Sequence, residues 1–337
     1  MSKSSLEQER DALLNTKHFS HLPAYTDPTT GLLARWPSKW IPYGQLMRLD
    51  RPGGFYAFYF PYVIGLAYAA CITPAPLPVE HLFTIAVEFL AFNVLLRGAA
   101  CTWNDIVDRD FDRHVERCRH RPIARGAVSP SQGLAFTLAQ LVALYGILLT
   151  FPDVCKVHTA ISTVLLFVYA LMKRVTYYPQ VVLGFPFAWA IFITLGALEM
   201  DPLSRKHLPA TLALFAANVL WTITYDTIYA HQDVDDDEKA GVKGMALRFR
   251  HSTKLLASCL TAVQLVMLAL CGIHAGLGPL YFIGTVGGVA AAMTYFIYDV
   301  DLSRPESCGA WFHDQFWLVG AGFVLGFALE YTARQFG

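Results

Sequence analysis

HLFTIAVEFLAFNVLLRGAACTWNDIVDRDFD, residues 81–112, joins a long apolar run to a crowd of acids. The run itself, 81–102, carries only Glu88 and Arg97 as charged residues. It is long enough to cross a bilayer, whose hydrocarbon core of about 30 Å takes about 20 helical residues. The same alternation of apolar run and short polar joint recurs at 46–70, 131–151, 157–175, 179–199, 208–228, 254–274, 277–298 and 312–333. Nine runs predict an all-α fold, a polytopic membrane bundle of about nine transmembrane helices. Pro52, Pro61 and Pro186 fall inside runs, which membrane helices tolerate when neighbours re-satisfy the backbone.

Composition agrees with that pattern. Of 337 residues, 55% are hydrophobic and 15% charged, with mean hydropathy +0.39. Soluble domains carry roughly 25% charged residues, so polar surface is too scarce for a soluble globule, and disorder is excluded on the same ground. Lys+Arg and Asp+Glu are 26 each, which leaves no basic excess for nucleic acid. The seven Cys show no CxxC pair and no metal-ligand spacing, and buried free thiols are expected.

Residues 1–43 differ in kind and are expected to be a polar, flexible cytosolic tail, with 44–337 as the transmembrane domain. Trp36 and Trp40 suit the headgroup belt. The tail has no apolar core after a basic start, and Glu7, Glu9 and Asp11 are foreign to an Arg-rich transit segment. With nine spans, one side of the membrane receives the tail and the joints near 103–130, 176–178, 229–253 and 299–311, where most of the basic residues lie. The other side holds Lys156, Arg205, Lys206 and Arg334. The positive-inside rule places the first side in the cytosol.

Two of these joints are acidic. In WNDIVDRDFD, from Trp103, helical continuation puts Asn104, Asp108 and Asp112 at i, i+4, i+8 on one face, with Asp105 beside them. In YDTIYAHQDVDDDEKAGVKG, from Tyr225, the residues Asp226, Tyr229, Asp233 and Asp237 fall at i, i+3, i+7, i+11. A solvated acidic loop would also place acids here. Stacked like charges destabilise a helix, however, and a divalent cation offsets that cost. Oxygen ligands without His or Cys select a hard ion, Mg²⁺, which keeps few protein ligands and bridges to phosphates. Two such clusters on one membrane side suggest a diphosphate held between metal ions.

NDIVDRDFD matches the NDxxDxxxD motif of the UbiA superfamily of intramembrane aromatic prenyltransferases, and YDTIYAHQDVDDD matches its DxxYAxxDxxxD motif. LMRLDRPGG (46–54) resembles the family's first-helix signature, and MKRVTYYPQVVLG (172–184) its fourth-to-fifth-helix stretch. The similarity covers roughly residues 44–330 and looks most like the 4-hydroxybenzoate polyprenyltransferase branch. The resemblance implies a nine-helix bundle open sideways to lipid and capped by the acidic joints. Carried over by position, Asn104, Asp108, Asp112, Asp233 and Asp237 would hold Mg²⁺ and diphosphate as the catalytic set. Asp105 is expected near the metals, and Asp226 and Tyr229 at the substrate, with Tyr229 bonding the diphosphate.

Arg97, inside a span, is a functional candidate by its cost in the membrane, and is expected to point into the cavity and bind an anion. Snorkelling to the headgroups is the plain alternative. Lys173 and Arg174, Arg48 with Arg51, and Arg121 are further candidates for diphosphate, against simple anchoring by the positive-inside bias. The 23 Phe, 16 Tyr and 7 Trp mostly pack or face lipid, while a few could shield an allylic cation with their π faces. His231 is given no catalytic role.

The implied activity is Mg²⁺-dependent transfer of a prenyl group, farnesyl by preference, from its diphosphate to a ring carbon of a phenolic acceptor. Without a transit segment, an endomembrane enzyme such as one of the endoplasmic reticulum is expected, with its site facing the cytosol. That resembles the prenyltransferases of fungal meroterpenoid secondary metabolism, acting on polyketide-derived aromatic acids. The alternatives are a 4-hydroxybenzoate polyprenyltransferase of ubiquinone synthesis, an intramembrane terpene cyclase, and a non-catalytic transporter. The partners expected are donor, acceptor and membrane lipid, with no nucleic acid and no obligate protein partner.

Overall fold

The computed structural model describes residues 23–336. Most of the expected flexible tail, residues 1–22, lies outside the described residues. Among the described residues there is no strand, and nine helices are long and apolar enough to cross a membrane. They are α1 (Gly53–Ile72), α2 (Val79–Val107), α3 (Pro130–Leu148), α4 (Asp153–Val175), α5 (Pro179–Ala197), α6 (Leu208–Ala240), α7 (Thr253–Ala275), α8 (Pro279–Asp299) and α9 (Pro305–Gln335). Each overlaps one predicted run, and the chain is a multi-pass integral membrane protein.

Local chemistry sets the ends and breaks of these helices. Ser129 and Gln132 form a reciprocal cap on α3, with Pro130 at the first helical position, where its missing N–H costs nothing. Within α5 the helix breaks at Trp189 into Pro179–Ala188 and Ala190–Ala197. Pro186 lies one turn before the break and cannot donate to the preceding turn. Ser162 Oγ donates to the Pro186 carbonyl at 2.9 Å.

The inner helices are α5 and α6, whose most apolar stretches are 78% and 67% buried, against 28% for α2 and for α3. α6 packs along α5 and α7, α9 along α1 and α8, and α2 against α1, α3 and α4. The outer faces of α3, α4 and α7 show Val142, Val164 and Val266 to the surroundings, as lipid contact requires. The α8–α9 crossing depends on glycine. A Cβ at Gly284 would stand 2.7 Å from the Gly326 Cα, so only small residues let these backbones meet. Five of the seven cysteines are buried, and all seven are free.

Neither acidic motif lies on one straight helix, contrary to the sequence reading. α2 ends at Val107, Asp108 leaves helical geometry with φ −86° and ψ 3°, and a short helix resumes at Arg109–Asp112. α6 runs to Ala230, makes one 3₁₀ turn over His231–Asp233, and continues as Val234–Ala240. Each motif bends at its central aspartate, which relieves the like-charge stacking a straight helix would impose. Gly241, at φ 71°, then ends α6 in the left-handed conformation that glycine supplies without strain.

Candidate active site at the cap

The two bent motifs meet over the end of the bundle. The Glu116 backbone N–H donates to Asp236 Oδ2 at 3.1 Å, which joins the first acidic joint to the second. Beneath them is a cavity of about 200 Å³. Its walls include Asn104, Asp108, Asp112 and Arg121 from the first joint, Asp226, Tyr229, Asp233 and Asp237 from α6, and Lys173 from α4. Nine of the residues singled out in the sequence therefore converge on one space.

Charge inside the cavity is largely matched in pairs. Lys173 Nζ is 3.3 Å from Asp108 Oδ2. Arg121 Nη1 donates to both Asp112 oxygens at 3.0 and 2.9 Å. Burial pushes the Asp112 carboxyl up to about 6, with Asp105 and Asp108 adding to the rise and Arg121 opposing it. Three buried polar atoms are left over. Asn104 Oδ1, Asp108 Oδ1 and Arg121 Nε have no hydrogen-bond partner. Among the described residues the carboxylates of Asp226 and Asp237 make no ion pair or hydrogen bond either. Buried polar groups are normally satisfied, so these atoms mark where a polar ligand fits. No three His, Cys, Asp or Glu side chains among the described residues stand close enough to share one ion. An ion that takes one or two carboxylates and completes its shell with water and phosphate oxygens, as Mg²⁺ does, does not require such a group.

Five candidates sit elsewhere. Asp105 is fully buried, and both its oxygens are taken by Arg48, at 3.0 and 2.5 Å. One residue along a helix turns a side chain by about 100°, which carries Asp105 off the Asn104 face and out of the cavity lining, although Arg121 Nη1 of that lining also reaches its Oδ1 at 3.4 Å. Arg48 is thereby a partner of Asp105 rather than a cavity residue. With Arg51 it borders a separate cavity of about 420 Å³ on the outer side of the cap. Arg97 does not point into the cavity. It donates from Nη1 to the Arg48 carbonyl at 3.1 Å and from Nη2 to the Arg51 carbonyl at 2.6 Å. Its cost in the membrane is met by backbone oxygens, and it pins a loop in which Arg48 holds the rare φ of 57°.

That loop explains a glycine of the first-helix signature. A Cβ at Gly54 would lie 2.9 Å from Arg97 Nη2, whereas one at Gly53 meets nothing nearer than 3.5 Å. Because Arg97 is buried and bonded, it cannot swing aside. Gly54→Ala is expected to cost about 1–3 kcal/mol and to lower the melting temperature in detergent. Gly53→Ala should leave it nearly unchanged.

Arg174 is the fifth residue placed outside the cavity lining. Its guanidinium donates to the Val107 carbonyl and lies over the Phe111 ring, 5.0 Å from the centroid. It supports the bend at Asp108 from outside the cavity. Arg174→Lys should therefore leave the Michaelis constant for the donor within about twofold, by steady-state kinetics.

Arg117, Tyr169 and Lys243 are among the cavity residues that escaped the sequence reading. Arg117 donates from Nε to Asp233 Oδ1 at 2.9 Å, forks onto Oδ2, and donates from Nη1 to the Tyr229 hydroxyl at 2.7 Å. Burial opposes its charge, but Asp233 more than restores it and holds the guanidinium above its ordinary range. No spacing singled it out, because Arg113 and Arg125, at the same four-residue interval, bond the Ala124 carbonyl and Gln45 instead. Tyr169, one turn before Lys173 on α4, also lines the cavity.

Residues 58–320 match the UbiA prenyltransferase family. The chain belongs to that family. It is 41% identical to the prenyltransferase ascA of Acremonium egyptiacum, over 81% of each chain. It is 37% identical to the mitochondrial 4-hydroxybenzoate polyprenyltransferase of Saccharomyces cerevisiae, over 90% of this chain and 80% of that one. With the DMOA farnesyltransferase nvfB of Aspergillus novofumigatus it shares 33% identity, over 90% and 95%. A solved UbiA homolog from Archaeoglobus fulgidus bound to GPP and Mg²⁺ has the same fold, with TM-score 0.63 at 16% identity over 86% and 99%. As a UbiA member the protein is an aromatic prenyltransferase, and the cap cavity is its candidate catalytic centre.

Proposed function

We propose that the protein transfers a farnesyl group from farnesyl diphosphate to a ring carbon of a polyketide-derived phenolic acid, in fungal-type meroterpenoid synthesis. The observation that carries the reading is the single cavity in which two acidic motifs and the carboxylate-paired cations Arg117, Arg121 and Lys173, with Lys243 beside them, surround the unsatisfied oxygens of Asn104 and Asp108. Asn104, Asp108 and Asp112 on one side, and Asp233 and Asp237 on the other, would hold Mg²⁺. Bound there, the metal supplies positive charge to a diphosphate leaving group.

The three cations exchange their carboxylate partners for diphosphate oxygens and stabilise charge that grows as the allylic C–O bond breaks. The bonding pair leaves with the diphosphate. An aromatic π pair ortho to the phenol hydroxyl forms the new C–C bond, and the ring then loses its proton. Apolar walls keep water from the allylic cation, and the rings of Tyr169 and Tyr229, which line the cavity, offer π faces to it. The tail lies in lipid, where each CH₂ contributes about 0.8 kcal/mol. The preference for farnesyl and for a polyketide acceptor is supported by the likeness to nvfB and ascA. The likeness to the yeast enzyme supports 4-hydroxybenzoate as the second reading. We place the cap in the cytosol, on an endomembrane such as the endoplasmic reticulum.

Membranes bearing the protein, supplied with Mg²⁺, farnesyl diphosphate and a panel of phenolic acids, test the reading by product mass. A farnesylated polyketide acid is the expected product. Prenylated 4-hydroxybenzoate alone would move the enzyme to quinone synthesis, and cyclised farnesol without acceptor would make it a cyclase. Tags near 115 and 240 should be reached from the cytosol in sealed vesicles, and one near 203 should be protected.

A further inference from the structure

Residues 23–46 do not hang free of the bundle. Leu33 is buried and packs so closely on Gly44 that a Cβ there would meet Leu33 Cδ2 at 2.5 Å. Leu46 forms an apolar nucleus with Ile123 and Val128 of the cap, flanked by Tyr43 and Phe136. Outside that nucleus a polar clamp closes on the same joint. The Arg125 guanidinium lies 3.8 Å from the Tyr25 ring centroid and donates from Nη2 to Gln45 Oε1 at 2.9 Å. Gln45 Nε2 donates in turn to the Tyr25 hydroxyl at 3.1 Å. Arg119 Nη2 donates to the Pro23 carbonyl at 2.8 Å.

The clamped stretch, 117–125, carries the two arginines that face the cavity. Arg117 and Arg121 point inward to Asp233 and Asp112, while Arg119 and Arg125 point outward to the strap. The stretch has no regular helix of its own, so its shape depends on what grips it from either side. When a diphosphate replaces the inner carboxylates, the inner grip changes and the outer one does not.

We propose that Tyr25, stacked under Arg125 and tied through Gln45, is a positioning residue that holds the cap joint so that Arg117 and Arg121 meet the donor's diphosphate. The strap at 23–46 then braces the donor site from outside rather than trailing as a tail. This rests on the reading that Arg117 and Arg121 bind diphosphate. A stacked guanidinium is a substantial contact when partly shielded from water. Its loss lowers the fraction of molecules with the joint in place, and apparent donor affinity falls by that fraction.

The test uses the full chain, with steady-state kinetics for donor and acceptor and with inorganic pyrophosphate as a competitive probe. For Tyr25→Ala, the donor Michaelis constant and the pyrophosphate inhibition constant should each rise about tenfold, equal to 1.4 kcal/mol. Turnover and the acceptor constant should stay within twofold. Tyr25→Phe keeps the ring over Arg125 and loses only the hydroxyl that accepts from Gln45, so it should recover most of the wild-type donor constant; a loss as large as that of Tyr25→Ala would overturn the stacked ring as the positioning contact. Unchanged donor kinetics in Tyr25→Ala, or a loss confined to turnover, overturns the clamp. If Arg121→Ala leaves the donor constant unchanged, the reading beneath it fails. If Arg121→Ala raises that constant and Tyr25→Ala does not, the clamp alone fails.

Discussion

Asp108→Asn and Asp237→Asn should each insert normally and lose at least about a hundredfold in turnover. The substitution keeps size and removes one charge. A contribution of about 3 kcal/mol to the barrier already exceeds a hundredfold in rate. The two positions test different things. Asp108 is paired with Lys173 at 3.3 Å, so its replacement also leaves a lysine without its partner. Asp237 lines the cavity with no ion pair among the described residues, so its replacement removes a ligand and strands no cation. If both residues hold Mg²⁺, the metal concentration for half-maximal rate should rise in both variants, and chelation should abolish the wild-type activity. A loss confined to melting temperature, with unchanged metal dependence, would assign them a structural role. Full activity in excess EDTA would remove the metal from the reaction altogether.

The spans were legible because lipid imposes a simple rule. A helix exposed to hydrocarbon must be apolar for its whole crossing, and that leaves a run visible without any partner. The bends at Asp108 and Asp233 were not legible. A helical period read along the chain carries on through a motif whether or not the backbone does, and here charge repulsion is relieved by breaking the helix at the residue that matters most. The same applies to the break at Trp189, which Pro186 foreshadows without locating.

Within the site, residue type was legible and partnership was not. Asp105 and Asp108 are alike in sequence, yet one faces Arg48 and the other the cavity, because Asp105 lies on the last turn of α2 and Asp108 at the bend that follows it. Arg97 shows the converse. Its cost in the membrane pointed to a partner, and the compensating oxygens are backbone carbonyls of Arg48 and Arg51, which every sequence contains. Arg174 and Lys173 adjoin in the chain and point to opposite sides of one wall. Arg117 was hidden by abundance, as one of many arginines in a joint where positive charge is expected for topological reasons alone.

Arg117 should prove the most sensitive cation. Arg117→Gln keeps hydrogen-bond donors beside Tyr229 and loses the charge and the fork. It also leaves Asp233, largely buried, facing no cation. If the guanidinium moves onto the diphosphate during the reaction, the variant loses both ground-state binding of the donor and stabilisation of the leaving group. The donor constant should then rise and turnover fall, with a combined loss in kcat/KM of about a thousandfold, roughly 4 kcal/mol. Arg117→Lys keeps the charge but not the planar fork, and should recover part of the turnover while the donor constant stays raised. A purely structural partner of Asp233 would behave differently. Removing it would lower the melting temperature and the yield, the surviving protein would keep its donor constant, and lysine would restore stability and kinetics together. Pyrophosphate inhibition separates the two without any acceptor: it should weaken in Arg117→Gln in proportion to the donor constant if the fork grips phosphate, and stay as in the wild type if Arg117 only holds Asp233.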